Sequence, residues 1–189
     1  MIDKTLQFLV GELNDFLGNR FPRNEQHVVL SAMCNPDGSV TQRIENKIVL
    51  SMVNLERESA APTAGVAVRA EGGYLRVGPA LHLNLYVLVA ASFGGNYGQA
   101  LNLLSHVLGF FQGRPSFTPQ NCPALPREVE KLNLELVAMS LAEMNNLWAI
   151  LGAKYMPSAV YKVRMLSVQE GWMNEPLPAI NRTSGEVAS

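Results

Sequence analysis

The chain has 189 residues, 48% of them hydrophobic and 16% charged, with 15 basic residues against 16 acidic ones and a net charge near −1. That length and composition favour one ordered globular core and leave a surface light in charge, with room for apolar or neutral contacts. The balance argues against a broad nucleic-acid surface, which needs concentrated Lys and Arg.

Leu6, Leu9, Val10, Leu13, Phe16 and Leu17 recur at helical spacing, so a first helix is expected, with Asp3 as its N-cap and Gly18 near its stop. His27 to Met33 reads as a short apolar strand, and Asn35-Pro36-Asp37-Gly38 as a turn. From Lys47 to Leu55 two sets of side chains alternate, Ile48, Leu50 and Met52 against Val49, Val53 and Leu55, so a strand covered on both faces is expected. Glu56 through Pro79 breaks that order with Ala, Gly and Pro and reads either as a projecting strand pair or as a loop.

Leu81 to Val89 alternates over a long strand, and Asn96 with Gln99 opens a helix with an expected stripe of Leu101, Leu104, Leu108 and Phe111. Ser116 to Pro126 reads as irregular. Leu132, Leu134 and Leu136 alternate in another strand, and Ser140 with Glu143 forms a capping-box signal for a helix carrying Met144, Leu147, Trp148 and Leu151. Gly152 offers a left-handed C-cap, and after Pro157 the residues Tyr161, Val163 and Met165 alternate with Lys162 and Arg164. Beyond Gln169, Gly171, Asn174, Pro176, Pro178 and Gly185 interrupt any regular element, so the end reads as a tail. The two periodicities together give an α/β (α+β) fold, a mixed β-sheet flanked by helices.

The sequence carries no recognisable reaction motif. His27, His82 and His106 sit in no metal or nucleophile motif and read as structural or surface residues, and Cys34 and Cys122 read as buried thiols. Gly94-Gly95-Asn96 lacks a Walker pattern and reads as tight strand-to-helix closure. Glu56 and Glu58 would face one way and Arg57 the other, a pattern that favours solvated charge or a salt bridge to another subunit over acid/base work. An enzyme would need a pocket joining His82 with Glu56 or Glu58. Trp172 in the tail reads as local packing or as a docking anchor. The start, Met1-Ile2-Asp3-Lys4, shows no signal-like leader and no stretch is long enough to span a membrane, so an intracellular location is expected.

Four blocks carry a resemblance: N-K-I-V-L-S-M-V-N-L-E-R-E at 46–58, L-H-L-N-L-Y-V-L-V-A-A at 81–91, L-L-S-H-V-L-G-F-F-Q at 103–112, and N-N-L-W-A-I-L-G-A-K-Y-M-P-S-A-V-Y-K-V-R-M at 145–165. In this order they closely resemble the tail-terminator, or cap, family of phage-tail-like extracellular contractile injection systems. The resemblance implies an α/β domain over residues 1–170, similar to phage tail-terminator proteins, with a C-terminal tail at 171–189. It implies a noncatalytic structural protein without cofactor or metal, forming a hexameric ring that caps the distal end of the inner tube and contractile sheath and stops their polymerisation. The implied partners are identical copies, the terminal inner-tube ring and the terminal sheath ring, with neither nucleic acid nor membrane insertion required. Assembly would be cytoplasmic, and the final place the distal end of an extracellular particle. An assembly adaptor or chaperone of the same particle is the alternative. Under this resemblance Glu56, Arg57 and Glu58 become edge contacts, the 59–79 insertion with Tyr74 a lateral arm, Lys154, Lys162 and Arg164 contacts to acidic tube or sheath surfaces, and Trp172 a further contact.

Overall fold

The computed structural model describes residues 1–21, 25–35, 37–39, 41–58, 66–70, 73–77, 81–167 and 175–177. In chain order the elements are α1 (Ile2–Gly18), β1 (Val28–Leu30), β2 (Lys47–Arg57), β3 (Val66–Ala70), β4 (Gly73–Val77), β5 (Leu81–Ser92), α2 (Tyr97–Gly113), β6 (Ser116–Phe117), β7 (Val129–Leu136), α3 (Leu141–Leu151), β8 (Ser158–Ser167) and β9 (Glu175–Leu177). Six strands form one sheet in the order β1-β2-β5-β8-β7-β6, in which β1 runs parallel to β2 and the other neighbours are antiparallel. The remaining three form a second sheet, β3-β4-β9.

Alternation along β5 decides which helix lies where. Leu83, Leu85, Val87, Val89 and Ala91 are buried with Leu6, Leu9, Leu13 and Leu17 of α1 and with Leu103, Val107, Phe110 and Phe111 of α2. The intervening Leu88 and Ala90 join Val49, Val160, Met33, Ile44 and Trp148 of α3 in a second cluster on the opposite face. The sheet is thus a middle layer between α1/α2 and α3. Each fully buried Leu or Val contributes about 1.5–3 kcal/mol relative to exposure.

Local chemistry sets the helix ends. The Ser140 side chain accepts from Glu143 N–H, the Glu143 side chain accepts from Ser140 N–H, and Gly152 closes α3 at φ 64°, ψ 17°. Asn96 Oδ1 accepts from Gln99 N–H at the start of α2. Asp3 is not the cap of α1: Met1 holds that position without a side-chain bond, and Asp3 lies in the first turn, accepting from the N-terminal ammonium. The stripe of α2 is also rotated from expectation. Leu104 and Phe111 are buried, but Ala100, Leu103, Val107 and Phe110 complete the stripe while Leu101 is exposed and Leu108 half-buried. Apolar residues occupy two adjacent stripes of this helix, and packing against α1 and β5 selects one.

Two segments read as irregular are strands. Ser116 and Phe117 pair with Asn133 and Leu132, and Leu134 N–H bonds to Pro115 O at 2.8 Å. Within the segment read as a tail, Glu175, Pro176 and Leu177 pair with Arg76, Leu75 and Tyr74. A partner strand supplies the order that local propensity lacks, and an edge position tolerates the proline. Within the insertion, the described residues Val66–Ala70 and Gly73–Val77 pair antiparallel as β3 and β4. In the chain, β3 and β4 fall between β2 and β5, and β9 follows β8.

Candidate assembly surface

Only the inner half of β2 is covered on both faces. Beyond Leu50 the neighbour β1 has ended, and Met52 and Leu55 are exposed. The pairing of β2 with β5 then slips between Met52 and Asn54. Val49, Ser51 and Val53 lie on the α3 side, but after this bulge it is Asn54, paired with Tyr86, and Glu56, paired with Asn84, that face that side. Leu55, which strict alternation groups with Val49 and Val53, instead pairs with Leu85 on the α1/α2 side. A one-residue slip exchanges the faces of everything that follows.

The bulge brings four of the residues singled out in the sequence onto one open face. Arg164 and Lys162 of β8 pair with Asn84 and Tyr86, so acidic residues on β2 and basic residues on β8 flank a neutral column on β5. Two strand spacings, about 10 Å, separate the acidic and basic columns. Tyr86 Oη donates to Glu56 Oε2 at 3.0 Å, Asn54 Nδ2 donates to Glu56 Oε1 at 3.2 Å, and Asn84 Nδ2 donates to Glu58 Oε2 at 3.1 Å. Lys162 Nζ lies 5.9 Å from the centre of the Tyr86 ring, and Arg164 donates to Glu135 Oε2 at 3.2 Å. Burial, then the hydrogen bond and charge of Glu56, push the Tyr86 hydroxyl above its ordinary range. Asn84 is 4% exposed, and its Oδ1 receives no donor among the described residues.

The other predicted contacts lie elsewhere. Arg57 pairs with Leu83 and so faces the α1/α2 side. Lys154 is exposed in the loop before β8, at the end of the strands opposite Arg164. Tyr74 lies in β4 between Arg69 of β3 and Leu177 of β9, and Trp172 falls outside the described residues. The sequence reading missed Asn84 and Tyr86, whose signal was their polar alternation within an otherwise apolar strand. His82 accepts Glu58 N–H at 3.0 Å through its backbone carbonyl, and His27 and His106 stand 5.7 and 5.2 Å from the Phe21 ring. Among the described residues no group of three or more His, Cys, Asp or Glu is placed to hold a metal ion, and no helix is long and apolar enough to cross a membrane. Cys122 is buried, its thiol pushed up by that burial and by Glu12, while Cys34 is half-buried rather than buried as expected.

The model of the Pvc16 N-terminal domain matches residues 4–179, almost the whole chain. The chain belongs to the Pvc16 N-terminal domain family. Solved structures similar to this Pvc16-type chain include the sheath/tube terminator of the PVC extracellular contractile injection system in its extended state, seen by cryo-EM, with a TM-score of 0.64 at 17% identity. That likeness covers 100% of this chain and 65% of the terminator. The tube-terminating cap of the anti-feeding prophage gives a TM-score of 0.57 at 16% identity, covering 93% of this chain and 58% of the cap. The Pvc16-type chain thus spans less than two-thirds of either protein, and at these identities the likeness establishes a shared α+β fold. No curated protein sequence matches it.

Proposed function

We propose that this chain is the ring-forming platform of a tail terminator, binding the last ring of an inner tube and of a contractile sheath and ending their growth. The carrying observation is the Pvc16 N-terminal domain match across residues 4–179, and the fold shared with a sheath/tube terminator and a tube-terminating cap supports the same reading. Termination is a property of surfaces. Lateral contacts between identical copies close a hexameric ring, one axial face matches the growing tube, and the other presents nothing that a further ring can use. Assembly takes place in the cytoplasm and the ring remains at the distal end of the particle, with no catalysis required.

In this reading the striped face of Glu56, Glu58, Lys162 and Arg164 meets the terminal ring through charge complementarity, which sets register and rejects wrong partners more than it adds raw affinity. Arg57 and Lys154 serve contacts on other surfaces, and the β3–β4 hairpin with Tyr74 is the lateral arm. Deleting the chain from a producing strain and measuring particle lengths by electron microscopy tests the proposal, together with labelled protein located on intact particles. Over-long or ragged tubes and label at the end away from the baseplate are expected. Particles of normal length that lack only cargo would favour an assembly adaptor instead.

A further inference from the structure

The outer edge of the sheet carries a cationic recess, apart from the striped face. A cavity of about 670 Å³ opens there between Gln7 of α1, Gln26, β1 and the start of β2. Arg43 and Lys47 are the charged side chains among its described lining residues, and the other polar ones are amides and hydroxyls. Neither cation forms an ion pair among the described residues, whereas Lys4, Arg114 and Arg164 each do. Glu45, which lies between the two in sequence, lines a different cavity, beside Tyr97 and Tyr155. The Lys47 ammonium donates to Arg43 O at 3.4 Å, which keeps it next to the Arg43 backbone.

The same recess offers main-chain groups. Ile48 N–H bonds to His27 O and Ser31 N–H to Leu50 O, so alternate residues of β1 turn their N–H and C=O towards β2, and Val28 and Leu30 turn theirs outwards. Asn14 takes those of Val28. Leu30, a lining residue, presents its N–H and C=O on the same outer edge without a partner among the described residues.

We propose that this recess binds an extended acidic segment of a partner protein, with carboxylates at Arg43 and Lys47 and its main chain at Leu30. Two like charges in one recess repel each other, and an anion between them relieves that repulsion. A small oxyanion would answer the charge alone. An extended chain answers both features, since pairing at a strand edge supplies main-chain bonds while alternate side chains meet the pocket. The chain's own acid pair does not fill the recess. Glu56 and Glu58 lie about 30 Å along β2 from Lys47 at the usual rise per residue, and they already accept from Asn54, Tyr86 and Asn84.

Fluorescence anisotropy tests this with the full chain and a fluorescein-labelled peptide of alternating glutamate and threonine, which keeps its carboxylates on one face. Replacing the glutamates by glutamine should weaken binding at least tenfold. Methylating alternate backbone nitrogens of the peptide should weaken it at least threefold, the mark of a main-chain contact. On the protein, Arg43→Glu with Lys47→Glu should cost at least tenfold and favour a lysine–threonine peptide instead, with circular dichroism unchanged because Arg43 is exposed and Lys47 half-buried. The milder Arg43→Gln with Lys47→Gln should cost at least threefold. Inorganic phosphate that displaces the probe as well as unlabelled peptide does would reduce the recess to an oxyanion site and overturn the proposal. So would a loss of binding that follows Lys162→Gln with Arg164→Gln instead, a self-association that the charge reversal dissolves, or no binding at all. Peptide binding in solution does not depend on whether the chain ends a tube, so the terminator reading stands or falls separately.

Discussion

The Tyr86 hydroxyl reaches across the β2–β5 pair to Glu56 Oε2 at 3.0 Å, while the ring of the same tyrosine lies 5.9 Å from the Lys162 ammonium of β8. One side chain therefore ties the acidic column of the open face to the basic one. Because Glu56 is exposed, losing the hydroxyl leaves its carboxylate hydrated rather than stranded. Tyr86→Phe should cost only about 0.5–1.5 kcal/mol by urea denaturation.

Replacing Glu56, Arg57 and Glu58 together by glutamine should separate assembly from folding. Glu56 and Arg57 are exposed and Glu58 is half-buried, so stability should change by no more than about 1 kcal/mol. Occupancy of particle ends should fall sharply. A folded triple variant that still forms rings and occupies ends at the wild-type level would remove these residues from the interface.

The outer edge of the sheet gives a second test. Asn14 of α1 accepts His27 N–H at 2.9 Å and Val28 N–H at 3.0 Å through Oδ1, and donates through Nδ2 to Val28 O at 2.9 Å. Its amide thus serves β1 as a further strand would, and covers an edge that otherwise invites pairing. Asn14→Leu leaves these groups unpaired beside the buried Val28 and should cost at least about 2 kcal/mol. The exposed Asn145→Leu is the control and should shift the midpoint by less than about 0.5 kcal/mol.

Periodicity revealed most of the framework because it records which face each residue buries. The twelve-residue alternation of β5, the capping box at Ser140 and the left-handed Gly152 all follow from local rules. Features that depend on a partner were hidden. Glu175-Pro176-Leu177 becomes a strand only because β4 lies alongside, and the choice between two apolar stripes on α2 is made by α1 and the sheet. The charged face was half legible: Glu56, Glu58, Lys162 and Arg164 could be named, but the bulge that sets their common face leaves no mark in the mixed run from Leu50 to Leu55.

Deleting Val53 tests the bulge. Without the extra residue Asn54 follows Met52 directly, so the pairs Met52–Val87, Asn54–Tyr86 and Glu56–Asn84 close into one unbroken ladder, and Glu56 and Glu58 keep the face of Lys162. Val53 only partly packs against the Trp148 cluster, so the lost contact should cost about 1 kcal/mol and the fold should survive. The Tyr86–Glu56 bond should persist, seen as a Tyr86 titration still raised as in the wild type, because the carboxylate continues to hold the proton on the phenol. Terminal occupancy should be retained with it. A folded deletion variant with a lowered Tyr86 titration and empty particle ends would mean that β2 re-pairs in the other register and that Val53 is not the residue the bulge accommodates.

The α3 cap links stability to pH. Ser140 N–H donates to Glu143 Oε2 at 2.7 Å and the Ser140 hydroxyl donates to the same oxygen at 2.8 Å, which together hold the Glu143 carboxyl below its ordinary range. A carboxylate whose pKa is depressed by folding contributes stability that is complete above its unfolded value and is lost as pH falls through the folded one. Ser140→Ala should therefore destabilise the protein at neutral pH by about 1 kcal/mol, the usual loss of an N-cap. Part of that difference should disappear as pH drops below the ordinary glutamate value, where the wild type also loses its ionised partner. Glu143→Gln keeps an acceptor without a charge, so its stability relative to wild type should improve over the same interval. Denaturation midpoints of the three chains across the acidic range decide the matter; a Ser140→Ala deficit that stays constant to the lowest pH would show that the hydroxyl acts through Glu143 N–H alone.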